Sequence, residues 1–231
     1  MELKKLTERI FYYPHQPEFD RPMLAYLAGD RFSLAVDAGY SAGHVDEFYA
    51  ALESAGLKKP DFTVITHWHY DHSFGMHRIH GASAALERTN AFLAEQRERA
   101  ADTGYLDALK RADIHFEREY RNRRELKIVL ADITFRETLR LDLRGLSALA
   151  FHTESPHSED TVCVYVPEER VLFLGDATSE DFFNGCPMDM EKLRRLTGMI
   201  EKADCEWCVL SHTEPLRKAE LLEYLHTVLA H

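Results

Sequence analysis

From position 66 the chain reads Thr66-His67-Trp68-His69-Tyr70-Asp71-His72, three imidazoles and a carboxylate directly after the apolar, β-rich run Phe62-Thr63-Val64-Ile65. Polar groups this dense at the end of a strand are costly to bury without a partner. Neutral imidazole nitrogen and carboxylate oxygen are donors that zinc accepts, and a tight turn lets several of them converge. His67 and His69, two residues apart in an extended segment, point the same way and can chelate one ion. Asp71 and His72 lie just beyond and can turn toward a second. The segment therefore calls for a fold in which a buried strand ends at a metal-binding turn.

The flanking sequence supplies such strands. Residues 9–13, 23–27 and 32–36 read as β-rich runs, the last two joined by Gly29-Asp30, which predicts an antiparallel opening. Val45, Phe48, Tyr49 and Leu52 recur at helical spacing over 44–55, and Gly56 follows as a stop. Residues 87–125 carry nine Lys and Arg against nine Asp and Glu, with no β-rich run, and predict two helices broken near Gly104. Their apolar positions Leu106, Leu109, Phe116 and Tyr120 form a stripe, interrupted by Asp113, that must cover a substrate entrance or a dimer contact. Strand patterns return at 133–135, 139–143, 146–151, 161–166 and 171–174, and helices are predicted near 189–203 and 216–229 around a strand at 207–210. Two packed sheets with helices outside follow, in one domain over 1–231 with 87–125 as a helical insertion.

Composition narrows the function. With 28 Lys and Arg against 39 Asp and Glu the net charge is −11, a field that repels polyanions, so nucleic acid is not expected as a partner. The first nine residues hold no continuous apolar stretch, and no uncharged apolar run approaches the roughly 20 residues that cross a bilayer. A cytoplasmic protein without membrane contact is expected. Cys163, Cys186, Cys205 and Cys208 are too sparse for a disulfide framework and read as reduced thiols. Cys205 and Cys208 lead into a strand rather than opening a helix, so they read as packed structural cysteines.

His67-x-His69-x-Asp71-His72 resembles the signature of the metallo-β-lactamase fold superfamily. Four further segments resemble the rest of that pattern, in family order over roughly residues 9–215: Val36-Asp37-Ala38-Gly39, Pro156-His157-Ser158, Val171 to Asp176, and Leu210-Ser211-His212. The resemblance implies an α+β fold, the four-layer αβ/βα sandwich. It implies two Zn²⁺, with Fe or Mn as alternatives: the first held by His67, His69 and His157, the second by Asp71, His72 and His212, with Asp176 bridging. Asp37 would support the site without binding metal. Asp71 would orient the nucleophile held between the ions or accept its proton as water becomes hydroxide, and that hydroxide would attack a small ester, thioester, lactone or phosphoester.

Two departures from the pattern matter. Pro156 and Glu159-Asp160 stand where glycines usual to the third motif would be, so His152 competes with His157 as ligand, its more natural role being to support His157. The Arg and Cys that certain β-lactamases carry in place of His72 and Asp176 are missing, which disfavours a dedicated β-lactamase and points to the thioesterase, lactonase and phosphoesterase branches. A mononuclear iron-dependent oxidoreductase of the sulfur dioxygenase kind is the rival reading of the same ligands. His15, Tyr40, Trp68 and Tyr70 are candidates for substrate contact. His77 and His80 read as structural residues, and Arg121, Arg123 and Arg124 as part of a solvated, salt-bridged face.

Overall fold

The computed structural model describes residues 1–185 and 187–230; Cys186 lies outside them. Two sheets face each other. The first runs in spatial order β1 (Lys4–Lys5), β2 (Ile10–Tyr13), β3 (Leu24–Ala28), β4 (Ser33–Val36), β5 (Phe62–Val64), β6 (Ala82–Leu86), β7 (Ile133–Phe135), antiparallel up to β4 and parallel from β4 onward. The second runs β13 (Leu216–Arg217), β12 (Trp207–Leu210), β11 (Val171–Gly175), β10 (Val162–Val166), β9 (Ser147–His152), β8 (Thr138–Asp142), with β11 and β12 as its parallel pair. Helix α1 (Ala42–Ser54) covers the outer face of the first sheet, and α6 (Met190–Lys202) and α7 (Lys218–Leu229) that of the second. The result is the expected four-layer αβ/βα sandwich.

Strand periodicity explains the layering. In β10 the side chains of Val162, Val164 and Val166 enter the core between the sheets while Cys163 and Tyr165 pack under α6 and α7; Val171 and Phe173 of β11 face inward while Leu172 and Leu174 face out. Both faces are covered, so these strands are apolar throughout rather than alternating. Each buried Val or Phe contributes roughly 1.5 to 3 kcal/mol. Cys163, Cys205 and Cys208 are free and buried in the outer layer, as packed structural thiols would be. No helix among the described residues is long and apolar enough to cross a membrane.

Three features differ from the sequence reading. Strand β6, Ala82-Ser83-Ala84-Ala85-Leu86, was not expected, because small residues carry little β-propensity; it exists because β5 and β7 hold it on either side. Strand β13 precedes α7, which the sequence reading had started at 216. The segment after β6 folds as three helices, α3 (Glu87–Arg99), α4 (Thr103–Ala112) and α5 (Ile114–Tyr120), and Gly104 sits in the first turn of α4 rather than at a break. The second break is made by Asp113, whose Oδ1 caps α5 by accepting from the backbone N–H of His115 at 2.7 Å and Phe116 at 3.2 Å.

The stripe on these helices is covered by the chain itself. Leu106, Phe116 and Tyr120 are buried with Tyr40, Ile65 and Phe74, and the Tyr120 hydroxyl donates to the Tyr40 carbonyl at 2.7 Å. A second anchor is charged. Glu119 of α5 accepts from Arg21 Nε at 2.8 Å and Nη2 at 3.0 Å and from the Ser41 hydroxyl at the start of α1, and the Arg21 and Glu119 side chains are only 9% and 2% exposed.

Candidate metal centre

The centre lies at the C-terminal ends of β4, β5 and β11, where chain turns from both sheets meet. Parallel pairing sets β4 beside β5, so the turn after Val36 lies against Thr66. Asp37 occupies the left-handed region, φ 66°, and its carboxylate closes the gap: Oδ1 accepts from the Thr66 N–H at 2.7 Å, and Oδ2 accepts from the Thr66 hydroxyl at 2.9 Å and faces His72 Nδ1 at 2.9 Å. Beyond His67 the chain enters the short helix α2 (Tyr70–Ser73), which carries Asp71 and His72, then the 3-10 turn Phe74–Arg78. Gly75 permits this close seating, since a Cβ there would stand 2.1 Å from the Ala38 carbonyl oxygen. Gly175, φ 57°, lets β11 pass Thr66 and deliver Asp176.

Two groups of ligand atoms result. His67 Nε2 lies 3.1 Å from His69 Nδ1 and 3.2 Å from His157 Nε2, and the last two are 3.0 Å apart. His72 Nε2 faces Asp71 Oδ2 at 3.1 Å and Asp176 Oδ2 at 3.3 Å, and His212 Nε2 faces both oxygens at 3.3 Å. Asp176 Oδ2 is also 3.7 Å from His157 Nε2, so it stands between the groups. All seven residues assigned to the metals on resemblance thus converge.

The protonation pattern tests whether a cation fits. The Thr66 hydroxyl gives its hydrogen to Asp37, so it accepts one from His67 Nδ1 at 3.0 Å; His157 Nδ1 likewise donates to the Glu180 carbonyl at 2.8 Å. Burial together with the neighbouring imidazoles holds the pKa of His67 and His69 far below the usual value, so His67, with its proton on Nδ1, turns a lone pair inward at Nε2. Three imidazole nitrogens within 3.2 Å of one another are the donor set of a tridentate imidazole site. In the second group, against the lowering effect of burial, Asp71 and Asp176 hold the His72 pKa well above the usual value, and Asp176, Asp20 and Asp71 do the same for His212. Against burial, His72 and His212 in turn hold the Asp71 and Asp176 carboxyls far below theirs. A divalent ion can replace those two protons, so both donor sets fit metal.

Of the other candidates, Tyr40 and Tyr70 line a cleft of about 420 Å³ with Asp71, Asp176 and His212, their rings stacked at 5.3 Å. The Tyr70 hydroxyl donates to Asp113 Oδ2, which brings the helical segment into the cleft wall. Trp68 lines an adjoining groove with His69 and His157. His15 Nε2 reaches Asp20 Oδ1 at 3.3 Å and does not line the cleft. His152 needs correcting: its Nε2 is bonded to the Glu159 carbonyl at 3.0 Å, and the support of His157 comes from the Glu180 carbonyl and from Ser155, whose hydroxyl accepts the His157 N–H at 2.9 Å. The end of β9 points His152 at the loop rather than into the cluster. His77 and His80 bond the carbonyls of Phe74 and Pro60, and Arg121 pairs with Glu117.

Sequence reasoning missed several residues. Asp160 is fully buried; it accepts from the Trp68 N–H at 2.8 Å and the Ser158 hydroxyl at 2.5 Å, tying the two ligand loops together. Phe183 lays its ring over His69 at 4.0 Å between centroids, and Phe182 beside it is 67% exposed. Asp20 meets His212 Nδ1 at 3.1 Å. Asp20 and the two phenylalanines sit in no recognisable motif, and Asp160 stands in the third motif only as a departure from it; an aromatic pair soon after Asp176 is the other signal the sequence offers.

Comparison with known proteins agrees with this geometry. The family profile of the metallo-β-lactamase superfamily matches residues 22–212. A metallo-β-lactamase from Pontibacter korlensis superposes with a TM-score of 0.70 at 18% identity, covering 100% of this chain and 99% of that one. One from Hirschia baltica gives 0.65 at 17%, covering 99% and 97%. A double mutant of the sec-alkyl sulfatase PisA1 gives 0.72 at 14%, covering 99% of this chain and 41% of that one. No curated protein matches. Identities this low carry the fold and not a substrate. With its profile match running from Arg21's neighbour to the last ligand candidate, the chain belongs to the metallo-β-lactamase superfamily.

Proposed function

We propose that the chain is a hydrolase working with two zinc ions on a small ester, thioester, lactone or phosphoester. The observation that carries the proposal is Asp176 Oδ2, within 3.3 Å of His72 and His212 and 3.7 Å of His157. His67, His69 and His157 would hold one ion and Asp71, His72 and His212 the other, with Asp176 reaching both. When bound, the ions supply Lewis acidity and lower the pKa of water.

The rest is done by side chains. Asp71 lines the cleft and stays ionised, so it can take a proton from an attacking water. Burial and then Asp113 push the Tyr70 pKa up, so the phenol keeps its proton and spends it on Asp113, while its oxygen accepts from the Tyr40 hydroxyl and the pair forms a fixed wall for substrate. Tyr40, Tyr70, Phe182 and Phe183 give the cleft aromatic surface for an apolar substrate portion. Among the described residues lining this cleft there is no Lys or Arg, whereas the adjoining groove carries Arg99 and Lys192, so an anionic substrate portion would rely on the ions in the cleft and on those two side chains in the groove. The net charge of −11 argues for a small molecule rather than nucleic acid.

Elemental analysis of untagged protein beside a panel of esters, thioesters, lactones and phosphodiesters tests the reading. Two zinc ions per chain with turnover of one panel class is expected. One iron per chain with oxygen consumption, or a fully loaded protein inert on the whole panel, would sink it.

A further inference from the structure

Among the histidines of the two groups, His212 is the one that packing does not hold. The side chain of His72 is 0% exposed and that of His157 4%, whereas that of His212 is 25% exposed and projects from an irregular turn after β12. Its Nε2 nevertheless points accurately at Asp71 and Asp176. The partner on its far side is Asp20, whose Oδ1 faces Nδ1 at 3.1 Å and also faces His15 Nε2 at 3.3 Å. The His15 and His212 rings meet edge to face at 5.1 Å. A carboxylate on Nδ1 keeps the proton there, leaves Nε2 as the lone-pair donor and fixes the ring plane.

The loop carrying Asp20 is itself held in place. Gln16 and Arg21 exchange backbone hydrogen bonds at 3.0 and 3.2 Å, closing residues 16–21 into a tight turn, and Asp20 lies in the left-handed region at φ 52°. Arg21 then anchors the turn to Glu119 and, through Nη1 at 3.0 Å, to Glu47. A residue 192 positions away in sequence is thereby set against the last ligand candidate.

We infer that Asp20 is the positioning residue of His212, so that its carboxylate selectively sets the affinity of the second metal ion. The inference rests on the dinuclear reading above. Partners of this kind change metal affinity by about 10- to 100-fold when removed. The left-handed backbone decides which variants are clean: Gly and Asn tolerate it, whereas Ala is strained there.

Zinc affinity at each site is measured by chelator competition on the full chain, with cobalt absorption as an independent view of each ligand set and thermal unfolding as a control. In Asp20→Gly the second ion should bind about 10- to 100-fold more weakly while the first is unchanged. Asp20→Asn, which keeps an acceptor for Nδ1 but loses the charge, should fall between. Second-ion affinity within about twofold of wild type in Asp20→Gly, or equal weakening at both sites, overturns the inference alone. A wild type that never holds more than one ion overturns the dinuclear reading and the inference together.

Discussion

His67, His69 and His157 meet nitrogen to nitrogen as buried imidazoles, whereas His72 and His212 face two carboxylates and are backed by two more, Asp37 and Asp20. The first group is built of imidazoles with no carboxylate among them. The second balances itself with protons when no ion is bound, so protons and metal compete there. One fold thus holds an imidazole-only donor set and a carboxylate-rich one, joined at Asp176, whose Oδ2 is 3.7 Å from His157 Nε2, and again at Thr66, whose hydroxyl serves His67 on one side and Asp37 on the other.

The sharpest way to separate the two halves is Asp176→Asn. It removes the link between them, and the variant should hold close to one ion per chain, keep a wild-type circular dichroism spectrum and lose hydrolysis by about 100-fold or more. Two ions with full turnover would show that the halves are not bridged. Thr66→Val tests the other link: losing the bonds to Asp37 and His67 at once costs about 1 kcal/mol on each side, so both ions should weaken by roughly tenfold or less, and a loss confined to one would contradict the shared role.

The metal-free protein should reveal the contrast through pH. His67 and His69 have depressed pKa values when folded, so below about pH 6.5 the unfolded chain gains protons the folded one refuses, and stability falls as pH falls. His72 and His212 have raised values; their contribution is complete below about pH 6.5 and is lost as pH rises through the folded values. Melting temperature after chelation should therefore decline on both sides of a maximum, and zinc, which needs the imidazoles deprotonated, should remove the alkaline decline while the acid side stays steep. A metal-free profile flat across this range would remove the distinction. The smallest effect is expected from Tyr70→Phe, outside both groups: metal content unchanged and KM raised a few-fold, with any change in zinc stoichiometry counting against its place in the substrate wall.

The sequence carried the ligand candidates because each lies in a short segment that directly follows or precedes a strand, where local pattern is dense enough to read. It did not carry Asp20, Asp160 or Asp113, because each acts across the fold on a loop whose neighbours are unrelated in sequence. Asp113 is instructive. It reads as a polar flaw in an apolar stripe, yet it ends α4, caps α5 and accepts the Tyr70 hydroxyl. Strand β6 was illegible for a related reason: Ala84 and Ala85 are buried and owe their strand to neighbours rather than to propensity.

The Arg21–Glu119 pair bears on how freely this scaffold can be remodelled. Glu119 belongs to the helical segment, while Arg21 and Ser41 belong to the framework around the metals. Replacing residues 87–125 by a short loop, or by the corresponding piece of a relative, would leave the buried Arg21 guanidinium with Glu47 as its remaining carboxylate partner, at a cost below the roughly 3 to 5 kcal/mol of an unpaired buried charge, and would slacken the turn that carries Asp20. A successful graft must therefore move positions 21 and 41 together with the helices, so in lineages where this segment is exchanged those three sites should change hands as one unit.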